Sequence, residues 1–330
     1  MKVIKLHAIL ISAKTPSARI RFLDLIPKLT AKGIVCTHSY YSVKPKDILS
    51  LLLVCIKSDV VLIQKKLFSP FILRLIRLLA KKLIFDFDDA VYVSHVDHDT
   101  IKINTRHKKF VTSAKLSNLV IAGNSNLATY ATPFANRIAI IPSAIDTKRI
   151  VKKVPTTDKS DTISIGWVGT AGNLKYLSML EPVFTRLAQQ YPIEIRVICD
   201  KTISIPNVDV RFVEWQLATE AAEIAKLDIG VMPLEDNIFS AGKCAYKAIQ
   251  YMAAGVPAVV SAVGMNKVVV SNKKDGFVCD SIAEFEPALE ALIIDKELRI
   301  EMGERAYHKV MQTYTIDIIA EKLYSVIVSL

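Results

Sequence analysis

The chain has 330 residues, a length that suits two domains of roughly 150 residues better than one. It is 51% hydrophobic and 23% charged, which excludes a disordered chain. The five cysteines, Cys36, Cys55, Cys199, Cys244 and Cys279, are odd in number and form no C-x-x-C pair, so neither a disulfide framework nor a zinc site is indicated. They read as small buried residues of a reducing cytoplasm.

Charge is uneven. Residues 1–150 carry 24 Lys and Arg against 9 Asp and Glu, or +15, whereas residues 151–330 carry 19 against 23, or −4. Two such halves face different partners, and nucleic acid, an anionic membrane and a phosphorylated acceptor all suit the basic one.

The opening MKVIKLHAILISAK reads as a first strand rather than a secretory leader. Its apolar core is short and interrupted by His7, and Lys14 stands where a cleavage region needs small neutral residues. Strands are predicted at 2–11, 34–40, 58–64, 82–87, 118–122 and 137–141, with helices at 17–32, 45–56, 69–80, 101–115 and 124–133. Residues 151–161 (VKKVPTTDKSD) have no apolar period and hold Pro155, which marks a linker between an N-terminal domain, 1–150, and a C-terminal domain, 162–330. The rhythm restarts with strands at 162–168, 193–199, 209–213, 228–233, 256–262 and 276–279. Helices are predicted at 173–190, 217–226, 241–254, 281–294, 296–311 and 315–328, the fourth opening on a Ser281/Glu284 capping box. The longest apolar stretch, 48–56, includes Ser50 and falls well short of the about 20 residues a spanning helix needs. This β-then-α alternation predicts an α/β fold of two tandem Rossmann-like, doubly wound domains with an interdomain cleft at the strands' carboxyl ends.

In such folds the loops after the strands hold the ligands. Arg19 and Arg21 follow the first strand and form a candidate clamp for an acceptor phosphate, with a solvated helix start as the plain alternative. Asp86-Phe87-Asp88-Asp89 closes the fourth strand, where Asp residues also serve simply to cap turns. His95 and His98 flank a charged loop and are given no role. After the strand at 162–168 comes Gly169-Thr170-Ala171-Gly172-Asn173 and then a helix, whose first N–H groups suit phosphate. The loop lacks both the G-x-G-x-x-G spacing and the Lys-Ser/Thr of a P-loop. The stronger constellation is SAGKCAYKAIQYMAAGVP, 240–257, in which Lys243, Lys247 and Gln250 fall at i, i+4 and i+7 of a predicted helix. Two cations and an amide near a helix start would meet a diphosphate together with the helix dipole, and a solvated lysine face is the ordinary alternative.

That segment, preceded by DIGVMPL (228–234), resembles the donor-site signature of retaining glycosyltransferases of the group 1 (family 4) class. PSARIRFLDLIPKLTAKGI, FDFDDAVY, IAGNSNLATYA, IPSAID, IGWVGTAGN, VGMN and DGFV follow the family's order over nearly the whole chain. The resemblance implies the GT-B fold, with a C-terminal helix able to return to the N-terminal domain. It implies transfer of a sugar from a UDP- or GDP-linked donor to a hydroxyl of a saccharide or lipid-linked acceptor, with retention, no metal and no other cofactor. The expected setting is bacterial cell-surface polysaccharide or lipopolysaccharide assembly, in the cytoplasm or on the inner face of its membrane.

On this reading the donor contacts are Gly169, Thr170, Gly172, Asn173, Lys175, Lys243, Lys247 and Gln250. The acceptor contacts are Arg19 and Arg21, and Asp88 and Asp89 shape the acceptor site or supply a base. D-x-D is also the donor-metal signature of the other glycosyltransferase fold, but here it lies in the basic half. The sequence departs from the family where two Glu separated by seven residues are usual: those positions are Gly242 and Gln250, and the usual Arg of the first C-terminal loop is Thr170. The missing Glu keeps a non-catalytic sugar-nucleotide-binding protein in play. A nucleic-acid-binding protein rests on charge alone, without an aromatic platform.

Overall fold

The computed structural model describes residues 3–13, 15–42, 44–93, 101–154 and 162–330, so His95, His98 and most of the predicted linker lie outside the described residues. The chain divides into two compact units. The first comprises Met1–Ala144, Asn237–Cys244 and Tyr314–Leu330, and the second Ile145–Asp236 and Ala245–Thr313. Two segments expected in the C-terminal domain therefore group with the first unit.

The first stretch of chain runs β1 (Ile4–Leu10), α1 (Pro16–Arg21), α2 (Ile26–Ala31), β2 (Ile34–Tyr40), α3 (Pro45–Lys57), β3 (Val60–Gln64), α4 (Pro70–Leu79), β4 (Lys82–Phe87), α5 (Thr105–Leu116), β5 (Leu119–Ala122), α6 (Ser125–Ala131) and β6 (Ile138–Ile140). Its six strands form one parallel sheet in the order β2-β1-β3-β4-β5-β6. β3, β4 and β5 are nearly continuous apolar runs, as strands covered on both faces must be. Local signals set the helix starts: Ser69 accepts the Ile72 N–H and Pro70 takes the first turn of α4, while Asn124 accepts the Leu127 N–H to cap α6.

The chain continues through β7 (Ile163–Val168), α7 (Leu174–Ser178), α8 (Glu181–Ala188), β8 (Ile193–Cys199), β9 (Asp209–Glu214), α9 (Glu220–Ala225), β10 (Ile229–Met232), α10 (Ile238–Ala241), α11 (Tyr246–Ala253), β11 (Ala258–Ser261), α12 (Asn266–Val269), β12 (Gly276–Cys279), α13 (Phe285–Ile294), α14 (Lys296–Thr313) and α15 (Ile316–Val328). Strands β7 to β12 form the second parallel sheet, in the order β12-β11-β10-β7-β8-β9. Its core joins Trp167, Leu177, Phe184, Ile195, Val231 and Phe285.

Helix α15 does return to the first unit. Ile316, Ile319, Ala320, Leu323 and Ile327 enter the core built by Leu6, Ala8, Phe22, Leu25 and Leu29. Each of these isoleucines and leucines contributes roughly 1.5–3 kcal/mol on burial, and Lys28–Asp317 and Lys32–Glu321 ion pairs flank the contact.

Two local expectations are corrected. The Ser281 side chain caps nothing; Glu284 reaches back to the Asp280 N–H at 2.9 Å instead. The predicted helix 241–254 is broken, because α10 ends at Ala241 and α11 begins only at Tyr246. Among the described residues no helix is long and apolar enough to cross a membrane.

Candidate functional site

In the second unit, β7 carries the chain to Gly169 at its carboxyl end. A Cβ at Gly169 would lie 2.4 Å from the Trp167 ring and 2.9 Å from Lys247 Nζ, so only glycine lets the loop approach both. The Lys247 ammonium rests 4.2 Å from the centroid of the buried Trp167 ring, a cation–π contact. Thr170 and Asn173 bind each other, Nδ2 to Oγ1 at 3.1 Å and backbone N–H to carbonyl at 2.8 Å, which closes the loop into a turn before α7. The Ala171 N–H donates to the Asp200 carboxylate at 2.7 Å, a contact that lowers the Asp200 pKa. Nothing in the sequence around Asp200 pointed to it. Gly172 leaves open space where its side chain would be, and Lys175 pairs with Glu235 at 3.6 Å.

Helix α11 is fastened beneath this loop by Tyr251. Its buried hydroxyl accepts the Val168 N–H at 3.0 Å and donates to the Val231 carbonyl at 3.3 Å, and Gly230 has no Cβ because the Tyr251 ring occupies that space. The residue just before the helix, Ala245, is buried and held in the left-handed region at φ 51°. Alanine has no side-chain acceptor, so Ala245 gives the helix no side-chain cap, and the positive dipole end of α11 stands with Lys247 in the first turn. Gln250, one turn on, is buried.

Residues 242–245 interrupt the helix, so Lys243 shares no helical face with Lys247 and Gln250, and it belongs to the first unit, with its ammonium over the Phe239 ring at 4.9 Å. The segment is fixed there through its backbone. Asn124 Nδ2 donates to the carbonyls of Gly242 and Lys243 at 3.0 and 3.1 Å, and the Cys244 thiol donates to the Asp88 carbonyl at 3.2 Å. A Cβ at Gly242 would sit 2.7 Å from the Ala90 nitrogen, which explains why a glutamate at this position has no room. Gly123 is needed for the same approach, since a Cβ there would lie 2.4 Å from the Cys244 sulfur.

At the carboxyl ends of β3 and β4, Arg21 and Asp86 form a buried pair. Arg21 Nε lies 2.9 Å from Asp86 Oδ2, and Nη1 donates to the Ile141 carbonyl at 3.0 Å. Burial opposes the guanidinium charge, but the Asp86 carboxylate more than reverses it; burial likewise pushes Asp86 up against the pull of Arg21, and the bidentate geometry is that of an ionised pair. Arg21 is thus engaged inside the unit rather than presented to an acceptor phosphate. Arg19 pairs with Asp24 at 3.6 Å.

Asp88 and Asp89 share one cation, Lys65, which is 3.2 Å from Asp88 Oδ1 and in contact with Asp89. Lys65 was not foreseen. It sits just past β3 with φ 60°, a conformation that non-glycine side chains resist, and its N–H donates to the Asp86 carbonyl. Burial works against its charge and the two carboxylates outweigh that, raising its pKa. Among the described residues no group of three His, Cys, Asp or Glu is arranged to hold a metal ion, and the carboxylates of the D-x-D motif face Arg21 and Lys65.

Residues 162–295 match the family model described as glycosyl transferases group 1. No curated protein matches the chain in sequence. Among solved structures, sucrose-phosphate synthase from Thermosynechococcus elongatus superposes with a TM-score of 0.76 at 13% identity, covering 99% of this chain and 98% of that one. HepE of Anabaena, solved with UDP and glucose, gives 0.74 at 13% identity, covering 99% and 100%. A glycosyltransferase from Rickettsia africae gives 0.74 at 11% identity, covering 99% of each chain. The chain has the fold of these proteins, GT-B, built from two Rossmann-like α/β domains.

Proposed function

We propose that this chain is a glycosyltransferase that takes a sugar from a nucleotide-sugar donor held by the second unit. One observation carries the reading: the start of α11, with Lys247 in its first turn, lies against the glycine loop that ends β7. A helix N-terminus with a cation beside it favours an anion, and a nearby glycine lets a diphosphate approach backbone N–H groups. The group 1 match over 162–295 covers this region, and HepE was solved with UDP and with UDP-glucose.

In the proposed reaction, the bond from the sugar's anomeric carbon to the donor diphosphate breaks and a bond to an acceptor hydroxyl oxygen forms, with retention and without a metal. The hydroxyl proton leaves to the departing phosphate or to a carboxylate. Lys247 and the α11 dipole stabilise the charge that develops on the leaving group, the kind of term that usually dominates such catalysis. Gly169, Thr170, Gly172 and Asn173 shape the donor pocket, Lys175 lies at its rim, and Gln250 offers an uncharged amide. In the first unit, Asp88 and Asp89 border the acceptor with Arg19. Lys65 pairs with both carboxylates and fixes their position, which suits a carboxylate that receives a hydroxyl proton. The acceptor is proposed to be a saccharide or lipid-linked saccharide of a bacterial surface polysaccharide. One structural neighbour is a lipopolysaccharide outer core galactosyltransferase.

The filled space at Gly242 supports a second reading, a sugar-nucleotide-binding protein without turnover, because a carboxylate usual in the family cannot be accommodated there. Incubating the protein with UDP- and GDP-sugars separates the two. Slow hydrolysis of one donor, accelerated by a saccharide acceptor, establishes a transferase; saturable binding with no release of nucleoside diphosphate establishes the binder.

A further inference from the structure

Two neighbouring helices of the first unit turn apolar side chains toward solvent. In α3 the exposed row is Lys46, Leu49, Ser50, Leu53, Ile56 and Lys57, the spacing of a single helix face. Leu49, Leu53 and Ile56 are 62%, 51% and 51% exposed. In α4, Leu73 and Ile76 are buried, while Phe71 and Leu78 stand 70% and 80% exposed with Arg74 between them. Helix α3 packs beside α4 and α4 beside α5, so these rows belong to one surface. The three helices carry eight Lys and Arg against one acid, Asp47, and the Ser42 hydroxyl donates to that carboxylate at 2.6 Å.

Single exposed leucines are ordinary; two adjacent rows of them, flanked by cations and nearly free of acids, are not. We propose that the α3–α4–α5 face docks on an anionic lipid surface. Leu49, Leu53, Ile56, Phe71 and Leu78 enter the boundary between headgroups and acyl chains, and the surrounding lysines and arginines meet the headgroups. Charge selects this occupant. A second copy of the chain placed across a twofold axis would bring two strongly basic faces together, and like-charge juxtaposition opposes that. A nucleic acid would use the cations but not the aliphatic rows. Docking needs no nucleotide and stands independently of the transferase reading.

Sedimentation of the full chain with vesicles tests it, using phosphatidylcholine alone and phosphatidylcholine mixed with phosphatidylglycerol. The expected result is salt-sensitive binding to the mixed vesicles only. The pairs Leu53→Ser/Ile56→Ser and Arg74→Glu/Lys108→Glu, all at exposed positions, should each weaken it by at least about tenfold while leaving the circular dichroism spectrum unchanged. Both native tryptophans, Trp167 and Trp215, lie in the second unit, so Leu53→Trp adds a reporter on α3 whose emission should shift to the blue on mixed vesicles alone. Absence of binding at low salt, or binding that neither pair of substitutions alters, overturns the proposal. A dimer in light scattering that Leu53→Ser/Ile56→Ser converts to a monomer, with vesicle binding absent or unchanged, would assign the face to a second copy instead.

Discussion

At the carboxyl end of β7, Lys247 rests over the Trp167 ring beside a helix start and a glycine loop. At the carboxyl ends of β3 and β4, Arg21 and Lys65 are matched to Asp86, Asp88 and Asp89. Both regions are strand-end loops of parallel sheets, where ligands of such folds bind. They differ in where the positive charge goes. The second unit concentrates positive potential at a place the backbone can approach, which suits an anion. The first unit uses its cations to pair with carboxylates and hold them in position, which suits a hydroxyl-bearing ligand. A cation in a strand-end loop is therefore weak evidence for a phosphate site until its partner is known.

The largest expected effect tests the claim that Arg21 is structural. Arg21→Met should leave Asp86 as an uncompensated buried charge and lower stability by about 3–5 kcal/mol, read from urea unfolding. A loss below 1 kcal/mol, with impaired acceptor use, would return Arg21 to the binding role first expected of it.

A second prediction concerns His7, buried in β1 and bonded to Thr37 Oγ1 and Ser39 Oγ at 2.8 and 2.9 Å. Burial first, and His38 second, lower its pKa to about 4. The unfolded chain takes up that proton near pH 6.5, so the stability due to neutral His7 is complete above pH 6.5 and lost progressively as the pH falls toward 4. The full extent is roughly 3 kcal/mol, and His7→Gln should flatten that part of the stability–pH curve. An unchanged slope in the variant would show that His7 is protonated in the fold.

The third prediction addresses the second unit. Lys247→Met should weaken nucleotide-sugar binding by about 1.5–3 kcal/mol with little change in unfolding, because it removes a charge-assisted contact and not a core one. Calorimetry showing full affinity in the folded variant would remove Lys247 from the site. The smallest effect is expected of Asp200→Asn, which keeps an acceptor for the Ala171 N–H but removes its charge. Donor affinity should change by no more than about 1 kcal/mol, and a larger change would make Asp200 a ligand contact rather than a support for the loop.

Among the described residues all twelve strands lie within the segments predicted from β-branched runs, apart from an extra residue at the end of β9; the central ones are covered on both faces and leave a plain apolar signal. Helix α15 was anticipated from the family pattern and confirmed by its burial in the first core. The site was less legible. Spacing alone placed Lys243 and Lys247 on one face, since periodicity cannot register a break made by Ala245 in a left-handed conformation. Lys65 and Asp200 were invisible because their partners are distant in sequence, and Gly242 looked like a missing catalytic side chain until Ala90 was seen to fill its space. The exposed row on α3 was hidden for a similar reason. A helix rich in leucine reads as core-facing until burial shows which leucines the sheet receives.

The most direct test of the central claim is thermal unfolding of the protein with UDP-, GDP- and ADP-sugars, with and without EDTA, in parallel with Lys247→Met. The account predicts that one nucleotide class stabilises the native chain, by about 2.7 kcal/mol at 100 times its Kd, that chelation leaves this unchanged, and that Lys247→Met needs on the order of 10- to 100-fold more ligand for the same shift. No stabilisation by any nucleotide sugar, or stabilisation that EDTA abolishes and Mn²⁺ or Mg²⁺ restores, would contradict it.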